Sequence, residues 1–131
     1  PVLRNRHGGS YQTVTDVIQS AQHLEHFHVY SKSELETIED GEVLPFHTDA
    51  GLFLAFVPGI DCESLESAED SLLVKDGGVT KVARFAPGTV GILLGIGAEE
   101  WLSQSEGLLR ATHHSVQMAP GQVRAWYGKS E

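Results

Sequence analysis

The sequence predicts a mostly β protein, an antiparallel sandwich or barrel preceded by one helix. Two observations carry this prediction. One segment near the start has helical spacing, and at least six short segments with the apolar or alternating pattern of β-strands follow it. Glycine- and proline-containing turns separate those segments, and the chain has neither an internal repeat nor a low-complexity stretch. Among antiparallel architectures, this pattern favours a jelly roll.

The helix is predicted over residues 13–24, where Thr13 or Thr15 can act as the N-cap. Its apolar residues recur at helical spacing, namely Val14, Val17, Ile18, Ala21 and Leu24. Residues 26–30 (HFHVY) then alternate as a strand does, with Phe27 and Val29 on one side. An acidic loop follows.

The later strands are predicted from short apolar or alternating segments bounded by turn residues. They cover residues 51–57, 71–74, 79–85, 89–96, 110–118 and 122–127. Residues 76–78 (DGG) predict a tight turn between two of them. Residues 97–102 are predicted to form a turn with a short edge strand.

The length and composition fit one soluble domain over residues 1–131, with 40% hydrophobic and 21% charged residues. A single cysteine, Cys62, excludes an internal disulfide framework. The chain has no apolar signal segment or membrane span, so a cytoplasmic location is expected. It begins at Pro1 without a methionine, which indicates a trimmed chain or a fragment.

The charge narrows the range of partners. Nine Lys and Arg residues against 18 Asp and Glu residues give a net charge of −9. Nucleic acids and anionic membranes attract clustered cations, and the sequence has no such cluster. We therefore expect neither nucleic-acid binding nor membrane binding.

Three residues form a candidate metal site: His47, Asp49 and His114. Residues 47–49 are predicted to open a strand, so His47 and Asp49 point the same way, because side chains in a strand alternate. The third ligand comes from the His113–His114 pair, of which only one can face the cluster. Two histidines and one carboxylate are the preferred ligand set of non-haem iron(II) sites that bind oxygen.

Other interpretations of these histidines remain open at this point. The HxD pair is also typical of a hydrogen-bonded surface pair, and a cupin-type metal site would use a different ligand set. His26 and His28, two residues apart, could also bind a metal, although histidines on a strand surface are the simpler interpretation.

Several segments, in order along the chain, resemble the 2-oxoglutarate-dependent non-haem iron oxygenases, in particular the plant-type and isopenicillin N synthase-like group. Residues 45–56 (PFHTDAGLFLAF) resemble the iron-binding strand of that family. Similar segments follow at residues 73–82, 85–96 and 97–116, the last of which includes the distal histidine. The resemblance covers about residues 26–127.

This resemblance implies a double-stranded β-helix, which is a jelly roll, with iron(II) held by His47, Asp49 and His114. It implies 2-oxoglutarate as cosubstrate, with Arg124, ten residues after the distal histidine, pairing with its far carboxylate and Tyr30 assisting. Molecular oxygen and a small organic substrate would complete the reaction. The expected outcome is oxidation of a C–H bond by hydroxylation, desaturation or cyclisation.

The sequence departs from the family at two positions. Trp126 stands where the family usually has a serine that donates to the cosubstrate, and His28 stands where it has an asparagine. Enzymes of this family are also longer, so the chain is expected to be a catalytic core or a fragment of a longer enzyme. The alternative function is a jelly-roll module that binds a metal or ligand and has lost the reaction.

Overall fold

The computed structural model describes residues 8–10, 13–33, 42–66, 71–86, 88–102 and 109–130. Within these ranges the chain forms two helices and nine strands, and the strand pairs are antiparallel. The prediction of a mostly β protein is confirmed. The elements in chain order are α1 (Val14–Ser20), β1 (Leu24–Ser31), β2 (Glu42–His47), β3 (Phe53–Phe56), β4 (Ile60–Asp61), β5 (Leu72–Asp76), β6 (Val79–Val82), β7 (Gly91–Leu94), α2 (Ile96–Leu102), β8 (His114–Gln117) and β9 (Val123–Ser130).

The strands form two sheets. The five-stranded sheet has the order β1-β9-β3-β7, with β4 also paired to β9, and the four-stranded sheet has the order β2-β8-β5-β6. Buried apolar side chains of both sheets form one cluster, to which the first sheet contributes Leu54, Phe56 and Leu93 and the second contributes Leu72 and Val116. The two sheets therefore pack face to face around a common core.

Helix α1 begins where the sequence predicts but ends earlier. Thr13 is the N-cap and forms a capping box with Asp16, in which each side chain accepts a hydrogen bond from the other residue's backbone N–H. The chain turns to an extended conformation at Ala21, and Leu24 already belongs to β1. The helix is fixed to the rest of the protein by Val17, which is only 1% exposed.

Strand β1 has polar rings on its inner face and apolar side chains on its outer face. Tyr30 and His28 lie opposite Arg124 and Trp126 of β9, on the side that faces the second sheet. Phe27 on the outer face is 72% exposed. The inner face of β1 therefore carries polar rings, of which Tyr30 lines a pocket between the sheets.

The structure corrects the predicted elements around His47. Residues 42–47 form β2, which the sequence analysis did not predict, so that His47 ends a strand instead of opening one. Residues 97–102 belong to helix α2 and not to a turn with a short edge strand. The predicted strand over 89–96 is shorter, because backbone N–H groups at its end, those of Gly95 and Ile96, donate to the carbonyls of Leu52 and Asp49 instead of to a sheet.

Other predictions concern the turns and the ends of the chain. The hairpin of β5 and β6 turns at Gly77 and Gly78, whose φ angles of 56° and 84° are typical of the predicted tight turn.

The acidic residues after β1, at 34–41, lie outside the described residues. In the described part of the chain, neither helix is long and apolar enough to cross a membrane.

Candidate functional site

Strand pairing brings His47 and His114 together. The two residues are direct partners in the antiparallel pair of β2 and β8. Their ring centroids lie 4.4 Å apart, with the ring planes tilted by 52°. Residues far apart in the sequence thus present their imidazoles side by side at the end of one strand and the start of another.

Backbone carbonyls orient both imidazoles. His47 Nδ1 lies 2.8 Å from the carbonyl oxygen of Pro45, and His114 Nδ1 lies 2.9 Å from that of Thr112. Because a carbonyl oxygen only accepts, each Nδ1 donates, and each neutral ring keeps its lone pair on Nε2. Histidines that bind metals commonly have this arrangement, in which one nitrogen donates to the protein and the other faces the ion.

Asp49 completes a group of three possible ligands. Its Oδ1 lies 3.6 Å from His47 Nε2. One ligand atom from each of His47, Asp49 and His114 lies within 4.8 Å of the other two. Among the described residues, this is the one group of three or more His, Cys, Asp or Glu side chains that could hold a metal ion.

The turn that carries Asp49 is held by the start of α2. The Asp49 carbonyl accepts from the N–H of Ile96 at 2.8 Å, and the Gly51 carbonyl accepts from that of Gly97 at 3.0 Å. A Cβ added at Gly95 would meet the carbonyl oxygen of Gly51 and would lie 2.9 Å from that of Asp49. The sequence analysis missed this support, although a glycine at the end of an apolar strand can indicate close backbone approach.

Burial keeps His114 neutral. The residue is 4% exposed. Loss of hydration lowers the pKa of its imidazole, while the hydrogen bond to Thr112 and the charge of Asp49 oppose this effect, and nearby His47 and His113 reinforce it. Neutral imidazole is the form that binds metal.

The neighbouring His113 faces away from the group. Its ring packs edge-on against Phe46, with centroids 5.3 Å apart, and its carbonyl accepts from the N–H of Lys75. Of the two adjacent histidines, only His114 reaches the candidate ligands.

A pocket lies between the two sheets, next to His114. Six of its lining residues are aliphatic or phenyl side chains, and four carry polar groups. The apolar residues are Leu44, Leu54, Phe56, Leu72, Leu93 and Val116, and the polar ones are Tyr30, His114, Arg124 and Trp126.

Arg124 lies in this pocket as a buried cation. It is 6% exposed, and its Nε and Nη1 have no hydrogen-bond partner among the described residues. Burial lowers the pKa of the guanidinium and the nearby Tyr30 opposes that shift, but an arginine keeps its charge at neutral pH. An unpaired buried cation is costly, so the pocket favours an anion that can accept from the guanidinium fork.

Two neighbours help to position the guanidinium. Tyr30, which also lines the pocket, lies directly opposite Arg124 in the β1–β9 pair. A Cβ at Gly59 would overlap the guanidinium, so that only glycine at this position leaves room for it. Tyr30 is a predicted site residue, whereas the close approach of Gly59 to the guanidinium was not predicted.

Trp126 belongs to a stack of nearly parallel rings on the inner face of the same sheet. Its indole lies 4.9 Å from the His28 ring, with 11° between the planes, and His26 and Tyr30 continue the stack on either side of His28. His28 Nε2 lies 3.3 Å from His26 Nδ1. These two histidines therefore have protein partners, and neither belongs to the candidate metal group.

No protein-family model matches the chain, and a search of the curated proteins gives no match.

Proposed function

We propose that this chain is the jelly-roll core of a non-haem iron(II), 2-oxoglutarate-dependent oxygenase that oxidises a C–H bond of a small organic substrate. One observation carries the proposal. Two histidines and an aspartate converge at the end of one sheet, beside a pocket in which the opposite sheet presents a buried arginine whose Nε and Nη1 have no hydrogen-bond partner among the described residues. A metal-chelating 2-oxo acid with a second carboxylate matches both ends of such a pocket.

The ligand set supports iron(II). His47 and His114 each offer an Nε2 atom and Asp49 offers a carboxylate oxygen, which is the ligand composition of the facial triad in oxygen-dependent iron enzymes. Three protein ligands leave positions for a cosubstrate and for molecular oxygen. When bound, iron(II) supplies the redox chemistry that activates oxygen.

The chain's own residues bind and orient the acid. Arg124 donates two parallel hydrogen bonds to the far carboxylate, and the Tyr30 hydroxyl donates beside it. The mostly apolar lining lowers the local polarity around the acid, which strengthens these charged hydrogen bonds. The two ends of the acid are therefore held by different sheets, and the rigid pairing of β2 with β8 and of β1 with β9 fixes its direction.

The wider proposal concerns fold and partners. The two packed antiparallel sheets are compatible with the halves of a double-stranded β-helix. The net charge of −9 disfavours nucleic acids, anionic membranes and polyanionic substrates, and the proposal extends to a small-molecule substrate and a cytoplasmic location.

The test is turnover with a defined set of reagents. The protein is incubated with iron(II), 2-oxoglutarate and air, and succinate, carbon dioxide and oxygen uptake are measured. We expect succinate to form, and we expect Asp49→Ala and Arg124→Met to lose this formation. His113→Ala serves as the control, because His113 faces away from the group. Absence of succinate and of oxygen uptake in the parent protein would contradict the proposal.

A second candidate function is a module that binds a metal and an acid without turnover. Trp126 favours it, because an indole takes the place of the serine hydroxyl that the resembled family uses. Tight binding of 2-oxoglutarate and iron without any succinate would decide for this module.

A further inference from the structure

Trp126 forms one wall of the pocket that contains Arg124. The two residues lie two positions apart on β9, so their side chains project from the same face of the sheet. Both line the pocket, and Trp126 also packs against the buried core cluster. The indole thus forms part of the pocket wall on the same face as Arg124, next to core side chains that also line the pocket.

The indole is held on several sides. His28 stacks on it at 4.9 Å, and Phe56 meets it edge-on at 6.3 Å with the planes at 81°. Gly128 provides the room that the indole needs, since a Cβ there would lie 2.6 Å from its Cζ3. A ring held in this way is a fixed wall, because it cannot move aside without losing these contacts.

From these contacts, and resting on the proposed function, we propose that Trp126 sets the upper limit on the length of the acid that binds to Arg124. The pocket then accepts 2-oxoglutarate and excludes 2-oxo dicarboxylic acids with a longer chain. An additional methylene has to displace the indole or move the carboxylate away from the guanidinium. Replacing the indole by a smaller side chain enlarges the pocket at the Trp126 wall and removes this limit.

His28 is the positioning residue of this wall. Its Nε2 lies 3.3 Å from His26 Nδ1, and His26 Nε2 lies 2.8 Å from the hydroxyl of Ser130. This chain of hydrogen bonds fixes the plane of the His28 ring and, through stacking, that of the indole. His28 therefore acts on acid length through Trp126.

The experiment measures binding of two acids that differ by one methylene. Manganese(II)-loaded protein is titrated without oxygen with 2-oxoglutarate and with 2-oxoadipate in a calorimeter. We expect the parent to bind 2-oxoglutarate at least about tenfold more tightly, which is the low end for one methylene in a hydrophobic pocket. Trp126→Ala and Trp126→Leu should bring the ratio of the two dissociation constants close to one.

Ring-preserving variants provide the matched controls. Trp126→Phe should keep most of the preference. His28→Ala should reduce it several-fold, while His28→Phe, which can still stack, should restore it. Circular dichroism and thermal melting verify folding. If Trp126→Ala does not fold, the comparison is made with Trp126→Leu alone.

The outcomes separate this inference from the function on which it rests. Suppose that Trp126→Leu keeps the parent's ratio of dissociation constants while Arg124→Met no longer binds either acid. Trp126 then does not limit the length of the acid, but binding of the acid by Arg124 is supported. A parent that does not distinguish the two acids also overturns the inference. If Arg124→Met binds both acids as tightly as the parent, the acid site of the proposed function is itself wrong.

Discussion

Tyr30 and Arg124 lie directly opposite each other in the antiparallel pair of β1 and β9, and both line the pocket beside His114. On the other sheet, His47 and His114 are paired in the same manner. Strand register thus determines the separation within each pair. A site built on paired strands is pre-organised, and we expect it to bind its ligands without a large rearrangement.

The candidate metal ligands give the first prediction. Replacing His47, Asp49 or His114 by alanine removes a ligand atom, so iron(II) affinity should fall by more than the roughly 10–100-fold that loss of a supporting contact costs. Anaerobic calorimetry measures the change. His113→Ala is the matched control, and an equal loss of affinity in that variant would contradict the assignment.

Gly95 gives a second prediction. Gly95→Ala should destabilise the protein by about 1–3 kcal/mol, the usual cost of overpacking, because the new Cβ meets the carbonyl of Gly51. It should also weaken iron(II) binding, since the same turn carries Asp49. Gly97→Ala should have smaller effects on both quantities, because its Cβ would lie 3.0 Å from the same oxygen. Thermal melting and metal titration measure the two effects, and an unchanged metal affinity in Gly95→Ala would show that the turn does not position Asp49.

Arg124 gives a third prediction, in which stability and binding change in opposite directions. Arg124→Met replaces a buried cation by an apolar side chain of similar length. Because the Nε and Nη1 of that cation have no hydrogen-bond partner among the described residues, the ligand-free protein should melt about 3–6 °C higher. The same variant should lose binding of 2-oxoglutarate. Arg110→Met, at an exposed arginine, should change neither quantity. A lower melting temperature in Arg124→Met would show that the guanidinium stabilises the fold.

The pKa of His114 gives a fourth prediction. Burial lowers this pKa in the folded chain below its ordinary value of 6.5. As the pH falls through 6.5, the unfolded chain binds this proton before the folded chain does, so acid destabilises the fold. The metal-free protein should therefore melt at a lower temperature at pH 5.5 than at pH 7.5, and His114→Gln should reduce that difference. Equal differences in the two proteins would contradict the assigned shift.

The sequence predicted the class of the fold because local patterns determine it. Alternation in β1, the glycine turn of β5 and β6 and the capping threonine of α1 are all properties of neighbouring residues. Helix α2 was missed because its first turn follows an apolar strand without a break, and the contacts of Gly95 and Gly97 with residues 49–51 depend on tertiary structure.

Part of the candidate site could also be predicted from the sequence. The HxD spacing and the position of Arg124 that the family resemblance implies selected residues that lie close together or line one pocket. The geometric argument for His47 and Asp49 was wrong, because His47 ends β2 and Asp49 lies in the turn that follows. Gly59 lies close to the guanidinium of Arg124, and the His28 ring stacks on Trp126. Both contacts arise from the packing of distant segments, which the sequence alone does not reveal.

The most direct test of the central claim is an anaerobic titration of the protein with iron(II) and 2-oxoglutarate, followed by visible absorption. If His47, Asp49 and His114 hold iron beside an acid bound to Arg124, a weak charge-transfer band should appear and saturate at one iron per chain. The band should be absent in His47→Ala and present in His113→Ala. If the parent gives no band and His47→Ala binds iron as tightly as the parent, the assigned centre is wrong.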